Sequence, residues 1–199
     1  MEYEKEKIVR HFREKLEEHR EGPQAHSWRS IDSQRLRFEV LAEVGDLRDK
    51  AILDVGCGLG DFYGFLKEKG VEVRYAGYDI VPEMISEARK RHPDGEFLVR
   101  DILTEDPAKR YDYVFSSGIN NIRTSRNQVV IEHLMKRMFE FCTRGVAVNM
   151  LSSCAEVKDE SSYYATPEDL LSLGLSLTGK TILRHDYKPN DFTLYLYKK

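Results

Sequence analysis

From residue 50 onward short apolar runs alternate with stretches of helical periodicity, and no other feature of this 199-residue chain restricts its fold so tightly. "AILDV" reads as a buried strand and "DFYGFLKEKG" as a helix closed by Gly70. "VEVRYAGYD" is a strand, and "VPEMISEARKRH" a helix with Pro82 near its first turn, where a missing N–H does no harm. "GEFLVRD" and "YDYVFSS" are two further strands, "RNQVVIEHLMKRMFEFC" a long helix, "GVAVNMLS" a fifth strand and "TPEDLLSLG" a short helix. Alternation of this kind builds βαβ units, and so a doubly wound α/β sheet that is mostly parallel and covered on both faces. The last two runs, "KTILRHDY" and "DFTLYLYKK", are separated only by "KPN". So short a link closes a hairpin and cannot hold a parallel crossover. The expectation is a seven-stranded sheet that closes with an antiparallel edge at a C-terminal hairpin.

The first 49 residues carry no strand pattern and are expected to form a helical cap. One helix shows Val9, Phe12 and Leu16 as its apolar stripe and stops at Gly22-Pro23. A loop, "PQAHSW", holds the one tryptophan, Trp28. A second helix runs from about Ser30 to Gly45 with Leu36, Val40, Leu41 and Val44 facing inward. The length suits one domain over 1–199, with cap 1–49 and sheet core 50–199.

Charge narrows the function. Charged residues make up 33% of the chain, yet the formal net charge is only −3, which argues against a general grip on nucleic acid. No apolar run reaches membrane-spanning length, and the charged N-terminus does not look like a signal peptide. The three cysteines are scattered, which suits a cytoplasmic protein better than a disulfide framework.

The candidate site begins at "ILDVGCGLGDF". Gly56, Gly58 and Gly60 follow the first strand at every second position, so the chain can turn sharply and a ligand can lie against its backbone. Ligands of doubly wound sheets bind outside the C-terminal strand ends, where strand order reverses. Cys57 sits inside this turn and reads as a small residue filling a bend rather than as a reactive thiol. The second strand ends at Asp79, where a carboxylate accepts from ribose hydroxyls, and the third at Asp101. Either acid alone also fits a helix cap or a turn. A nicotinamide fold has no need of the third-strand acid; a cofactor with an exposed adenine amino group does.

These residues resemble the class I S-adenosylmethionine-dependent methyltransferases. "LDVGCGLG" is similar to that family's DxGxGxG motif and not to the GxGxxG of dinucleotide dehydrogenases. The resemblance covers about residues 50–150 by motif and implies a Rossmann-like fold with S-adenosylmethionine as cofactor and S-adenosylhomocysteine as product. It implies that Gly56 and Gly58 lie against the cofactor's amino-acid part, with Asp54 helping to hold its ammonium. Asp79 would take the ribose hydroxyls, and Ile80 would pack on the adenine. Asp101 would accept from the adenine amino group, and Ile102 would offer a backbone N–H. Ser117 and Gly118, after the fourth strand, would edge the methyl-donor site.

The acceptor is less legible. "SSGIN" stands where DNA and RNA amino-methyltransferases carry an Asn-Pro-Pro-Tyr type motif, so a small-molecule O, N or carboxylate acceptor is favoured over a flipped base. Its pocket walls are expected before the sheet and at about 152–166. Arg37 either pairs with the donor's carboxylate or is a surface arginine, and Trp28 is either a lid or core. His26, His133, Tyr163 and Tyr164 are the titratable candidates near the acceptor; none is assigned as catalytic. Two other functions stay open: a cofactor-binding regulatory or assembly protein, and a nicotinamide oxidoreductase.

Overall fold

The computed structural model describes residues 3–19 and 31–199; His26 and Trp28 lie outside the described residues. The elements in chain order are α1 (Lys5–His19), α2 (Ile31–Ala42), β1 (Ala51–Val55), α3 (Asp61–Glu68), β2 (Arg74–Asp79), α4 (Pro82–Arg91), β3 (Glu96–Val99), β4 (Tyr111–Ser117), α5 (Asn127–Phe141), β5 (Cys142–Leu151), α6 (Pro167–Leu177), β6 (Thr181–Arg184) and β7 (Asp191–Tyr197). The strands form one sheet in the order β3-β2-β1-β4-β5-β7-β6. β1 pairs in parallel with both β2 and β4, with Asp54 opposite Gly77 on one side and Phe115 on the other. Strand order therefore reverses between β1 and β4, and the crevice it opens lies at the C-terminal strand ends.

The C-terminal hairpin closes the sheet at the expected edge, with antiparallel pairing. β7 is antiparallel to β5 and β6 and lies between them. The edge is β6, which runs in the same direction as the other five strands. Burial explains which hairpin strand lies outermost. Phe192, Leu194 and Leu196 on one face of β7 and Thr193 and Tyr195 on the other are all buried, so both faces need cover. β6 is half-exposed, with Ile182 at 53%, and suits an edge. β6 also stops at Arg184, so the link to β7 spans 185–190 and is longer than "KPN".

Successive strand residues point to opposite faces and so feed two cores. Leu53, Val114 and Val146 pack with Ile131, Leu134 and Met138 of α5 and Leu170 of α6. Ile52, Tyr113 and Phe115 pack with Phe38 and Leu41 of α2, Phe62 and Phe65 of α3 and Ile85 of α4. The inward face of α2 is Gln34, Arg37, Phe38, Val40 and Leu41, so Phe38 takes the place expected of Leu36. α1 stands apart from both cores. Its stripe of Val9, Phe12 and Leu16 packs on Leu59, Val81 and Met84, above the turns that follow β1 and β2. No helix among the described residues is long and apolar enough to cross a membrane.

A buried ion pair ties α2 to the start of β7. Arg37 donates through Nε and Nη2 to Asp191 Oδ1, at 3.0 and 2.5 Å. Removing one partner of such a pair leaves an uncompensated charge inside the protein. Asp191→Ala should therefore destabilise the protein by about 3–5 kcal/mol. Arg35→Ala, which breaks the exposed Arg35–Glu68 pair, should leave stability nearly unchanged. Urea unfolding of the two variants beside the parent checks both.

Candidate active site

The turn after β1 is tied to the tip of β2. The backbone amides of Gly56 and Cys57 both donate to the Tyr78 carbonyl, at 2.7 and 3.1 Å. Gly56 has φ +74°, and a Cβ there would stand 1.8 Å from Ile119 Cγ2. Glycine is required at this position both for the turn and for the loop that lies over it. Gly60 has φ +80°, but it departs from its expected role. A Cβ there would meet His92 and Phe97 at 2.8–2.9 Å, so Gly60 serves the packing of α3 on its neighbours. It does not line the cavity.

The cavity in front of this turn has a volume of about 490 Å³. Of the residues singled out in the sequence, Asp54, Gly56, Cys57, Gly58, Asp79, Ile80, Asp101, Ile102, Ser117, Gly118 and Arg37 all line it. Asp79 is held by backbone: the Val81 amide donates to Oδ1 and the Gly58 amide to Oδ2, each at 2.9 Å. Burial raises its pKa, and these amides pull it back. Asp54 is buried at the end of β1, and burial pushes its carboxyl up to about 7 against a hydrogen bond from Tyr75 Oη at 2.8 Å that favours the charged form. Asp101 accepts from the Leu103 amide on Oδ1 at 3.0 Å. Its Oδ2 accepts from Tyr3 Oη at 2.8 Å and Lys5 Nζ at 3.1 Å. Three of its roughly four acceptor sites are thus used, and one remains. Burial pushes the Cys57 thiol far above its ordinary value, which agrees with a space-filling role.

Two loops and the α1 segment close the cavity. The end of β4 and the segment after it contribute Ser117 to Ile122, and the segment after β5 contributes Asp159, Ser161, Ser162 and Tyr164, inside the expected 152–166 wall. The two are stitched together: Arg123 N donates to Ser161 O at 2.9 Å and Tyr163 N to Asn121 O at 2.8 Å. Asn127 supports the first loop, accepting from Thr124 N at 2.6 Å and donating to Ile122 O at 2.8 Å. Glu4 of the α1 segment accepts from the Ser125 amide and hydroxyl, both at 2.7 Å. Ser117 Oγ is spent on Asn149 Oδ1 at 3.1 Å.

The titratable candidates divide. Tyr164 lines the cavity, whereas Tyr163 and His133 do not. Tyr163 packs against the core beside α5 and α6, and His133 Nε2 lies 3.4 Å from Leu103 O. Arg37 is no surface arginine; it is buried on Asp191. Gln34 lines the cavity and donates to Asp61 at 2.9 Å, while Arg35 is turned outward to Glu68. Sequence reasoning missed Tyr3, Lys5, Lys188 and Asp191. The first two meet Asp101 across nearly a hundred residues, and no local pattern signals that. Lys188 had a signal: if β6 runs with the parallel strands, the link that follows it must emerge at the ligand-binding end.

A methyltransferase-domain family model matches residues 52–145. "Putative methyltransferase Rv1506c" of Mycobacterium tuberculosis is 30% identical over 155 residues, which cover 74% of this chain and 93% of that protein. Trans-aconitate 2-methyltransferase of Escherichia coli (strain K12 / DH10B) is 33% identical over 89 residues, 45% of this chain but only 35% of that enzyme. Among solved structures, a complex of DhpI with SAM and HEP superposes with TM-score 0.71 at 15% identity, covering 98% of this chain and 97% of that one. Magnesium protoporphyrin IX methyltransferase from Synechocystis PCC 6803 with bound SAH gives TM-score 0.67 at 13% identity, covering 85% and 84%. The structural likenesses speak for the fold alone. The mycobacterial relative, matched over nearly its whole length, sets aside the nicotinamide alternative: the chain belongs to the class I S-adenosylmethionine-dependent methyltransferases.

Proposed function

We propose that this chain transfers the methyl group of S-adenosylmethionine to a small-molecule acceptor held between the loops after β4 and β5. One observation carries the reading: the glycine turn and the acids at three successive strand tips, Asp54, Asp79 and Asp101, all open into one cavity. The chemistry of its walls fits the cofactor. Asp79, fixed by two backbone amides, accepts from the ribose hydroxyls. Ile80, Met84, Ile102 and Leu134 offer apolar surface for a purine, and the remaining acceptor site of Asp101 takes its amino group. Gly56, Gly58 and Asp54 receive the amino-acid part.

Bound S-adenosylmethionine supplies a methyl group already activated on a sulfonium. The chain's own work is then to position the acceptor in line and keep water out. Ile119, Asn120 and Asn121 from one loop and Ser161, Ser162 and Tyr164 from the other form the acceptor wall. No residue is assigned as a base. The small-molecule reading is supported by the relative named for trans-aconitate and by a cavity enclosed by this chain's own loops.

S-adenosylhomocysteine should raise the melting temperature and NAD should not, since a ligand that binds only the native state stabilises it by mass action. The reverse pattern would overturn the cofactor assignment. Asp79→Ala should weaken S-adenosylhomocysteine binding by about 1.5–3 kcal/mol in calorimetry, the worth of hydrogen bonds to a charged group.

Asp54 makes binding depend on pH. Its folded pKa, about 7, lies above the ordinary 3.8, so between these values the folded state holds a proton that the unfolded state has released. Asp54's contribution to stability is present below about pH 4 and is lost as pH rises through 7. Asp54→Asn should therefore gain on the parent, by up to about 1.4 kcal/mol per pH unit, as ligand-free protein is unfolded at pH values from 5 to 7. With ligand the sign reverses. The parent should bind S-adenosylhomocysteine more tightly at pH 8 than at pH 6, because the deprotonated carboxylate attracts the ammonium, and the Asn variant should show a much flatter profile.

A further inference from the structure

Asn120, in the loop after β4, is buried without a partner. It is 9% exposed and lines the cavity, and its carboxamide makes no hydrogen bond among the described residues. A buried amide left unpaired gives up its hydration and gains nothing in return. At a cavity wall such a group marks a place for a polar atom of a ligand. Its polar neighbours are already engaged: Ser117 Oγ donates to Asn149 Oδ1 at 3.1 Å, and Asn127 holds the Thr124 amide and the Ile122 carbonyl.

The loop after β5 supplies the second observation. Tyr163 N donates to Asn121 O at 2.8 Å and Ile122 bridges to Ser162, so the two loops are joined just beyond Asn120. From the second loop Asp159, itself exposed, lines the cavity. Its Oδ1 accepts from the Ser161 hydroxyl at 2.7 Å and the Ser162 amide at 2.8 Å, and its Oδ2 from Tyr164 Oη at 3.1 Å. Burial works to raise its pKa, but these neutral donors outweigh burial and hold it at about 2. Asp159 thus stays ionised, and it has no cation partner among the described residues. The lysines and arginines that line the cavity are each paired with a carboxylate: Lys15 with Glu18, Arg37 and Lys188 with Asp191, and Arg100 with Glu105. Burial lowers the pKa of His11, which also lines it, and so favours the neutral ring. An acidic acceptor would have to compete with these carboxylates for a cation and would be repelled by Asp159. An amine meets an anion and the Asn120 carbonyl.

We propose that the methyl acceptor is an amine, recognised by the Asn120 carboxamide and the Asp159 carboxylate from the two loops of the acceptor wall. The proposal rests on the methyl-transfer reading above and names the acceptor class that reading leaves open. Asn120 and Asp159 decide specificity in it; neither is given a proton to move.

The test uses matched probes on protein saturated with S-adenosylhomocysteine: benzylamine, benzyl alcohol and benzoate, then hexylamine, hexanol and hexanoate. Ligand-observed NMR gives their affinities for the parent, Asn120→Leu and Asp159→Asn. Calorimetry gives the S-adenosylhomocysteine affinity of each, and thermal unfolding its melting temperature. The amines should bind the parent about tenfold or more tightly than the matched alcohols and carboxylates. Each variant should lose about five- to tenfold in amine affinity and keep the parent's affinity for S-adenosylhomocysteine. Asn120→Leu should not lower the melting temperature, because the amide has no partner to lose. Alcohols or carboxylates that bind the parent as tightly as the amines, a parent that binds no amine, or amine affinity unchanged in either variant overturns the proposal. A lower melting temperature for Asn120→Leu also overturns it, since the amide then serves the fold. So does an equal loss of S-adenosylhomocysteine affinity in the variants, since the two residues then serve the cofactor. A parent that does not bind S-adenosylhomocysteine fails at the cofactor reading itself, and the proposal falls with it.

Discussion

Two amides on one carbonyl organise the active end of this protein. Because Gly56 and Cys57 both donate to Tyr78 O, the turn leaving β1 is fastened to the last residues of β2. That fastening brings the Gly58 amide within 2.9 Å of Asp79 Oδ2, so the acid arrives oriented by backbone and not by other side chains. Backbone donors have no rotamer freedom to lose, and they favour the charged form of the carboxyl against the pull of burial. The loop after β4 is then laid over Gly56 through Ile119, in space that only a missing Cβ leaves. Fold and site are one set of contacts at this end of the sheet.

The acids that carry the proposed chemistry are kept in three different ways. Asp79 rests on amides, Asp54 on the Tyr75 hydroxyl, and Asp101 on Tyr3 and Lys5 from the α1 segment. The last is the support that comes from farthest away in sequence. It comes from the segment that leads into α1, whose apolar stripe packs on Leu59, Val81 and Met84, with an exposed Arg13–Glu83 pair at its side. The same segment is fastened to the loop after β4, where Glu4 accepts from the Ser125 amide and hydroxyl, so the support of Asp101 and the cover of the cavity are joined.

The strands, the glycine turn and the strand-tip acids were legible because each is written locally. Buried parallel strands read as apolar runs, and a Gly-rich turn followed by an acid at the next strand's end is a short-range pattern. The antiparallel hairpin at the edge was legible too, but which of its strands lies outermost was not, because that order depends on burial of both faces of β7, which only its neighbours reveal. Gly60 was read as ligand-facing by its spacing, though its neighbours His92 and Phe97 come from α4's end and β3. Arg37, Lys188, Tyr3 and Lys5 were illegible or ambiguous for a common reason: each meets its partner across the fold, or through a link whose position follows from strand order.

The interior position of β7 bears on how the chain reaches its native state. Until that strand inserts, β5 is a ten-residue edge, apolar over most of its length, with its unpaired backbone groups open to any other extended chain. β7 can dock there only by reversing direction, and its ion pair with α2 closes a loop of 154 residues. Contacts so distant in sequence form slowly, because the entropy of closing the loop is lost before the contact is gained. The hazard of self-association therefore falls on the partly folded chain, and it ends when a strand from late in the sequence takes the place that another molecule would otherwise fill.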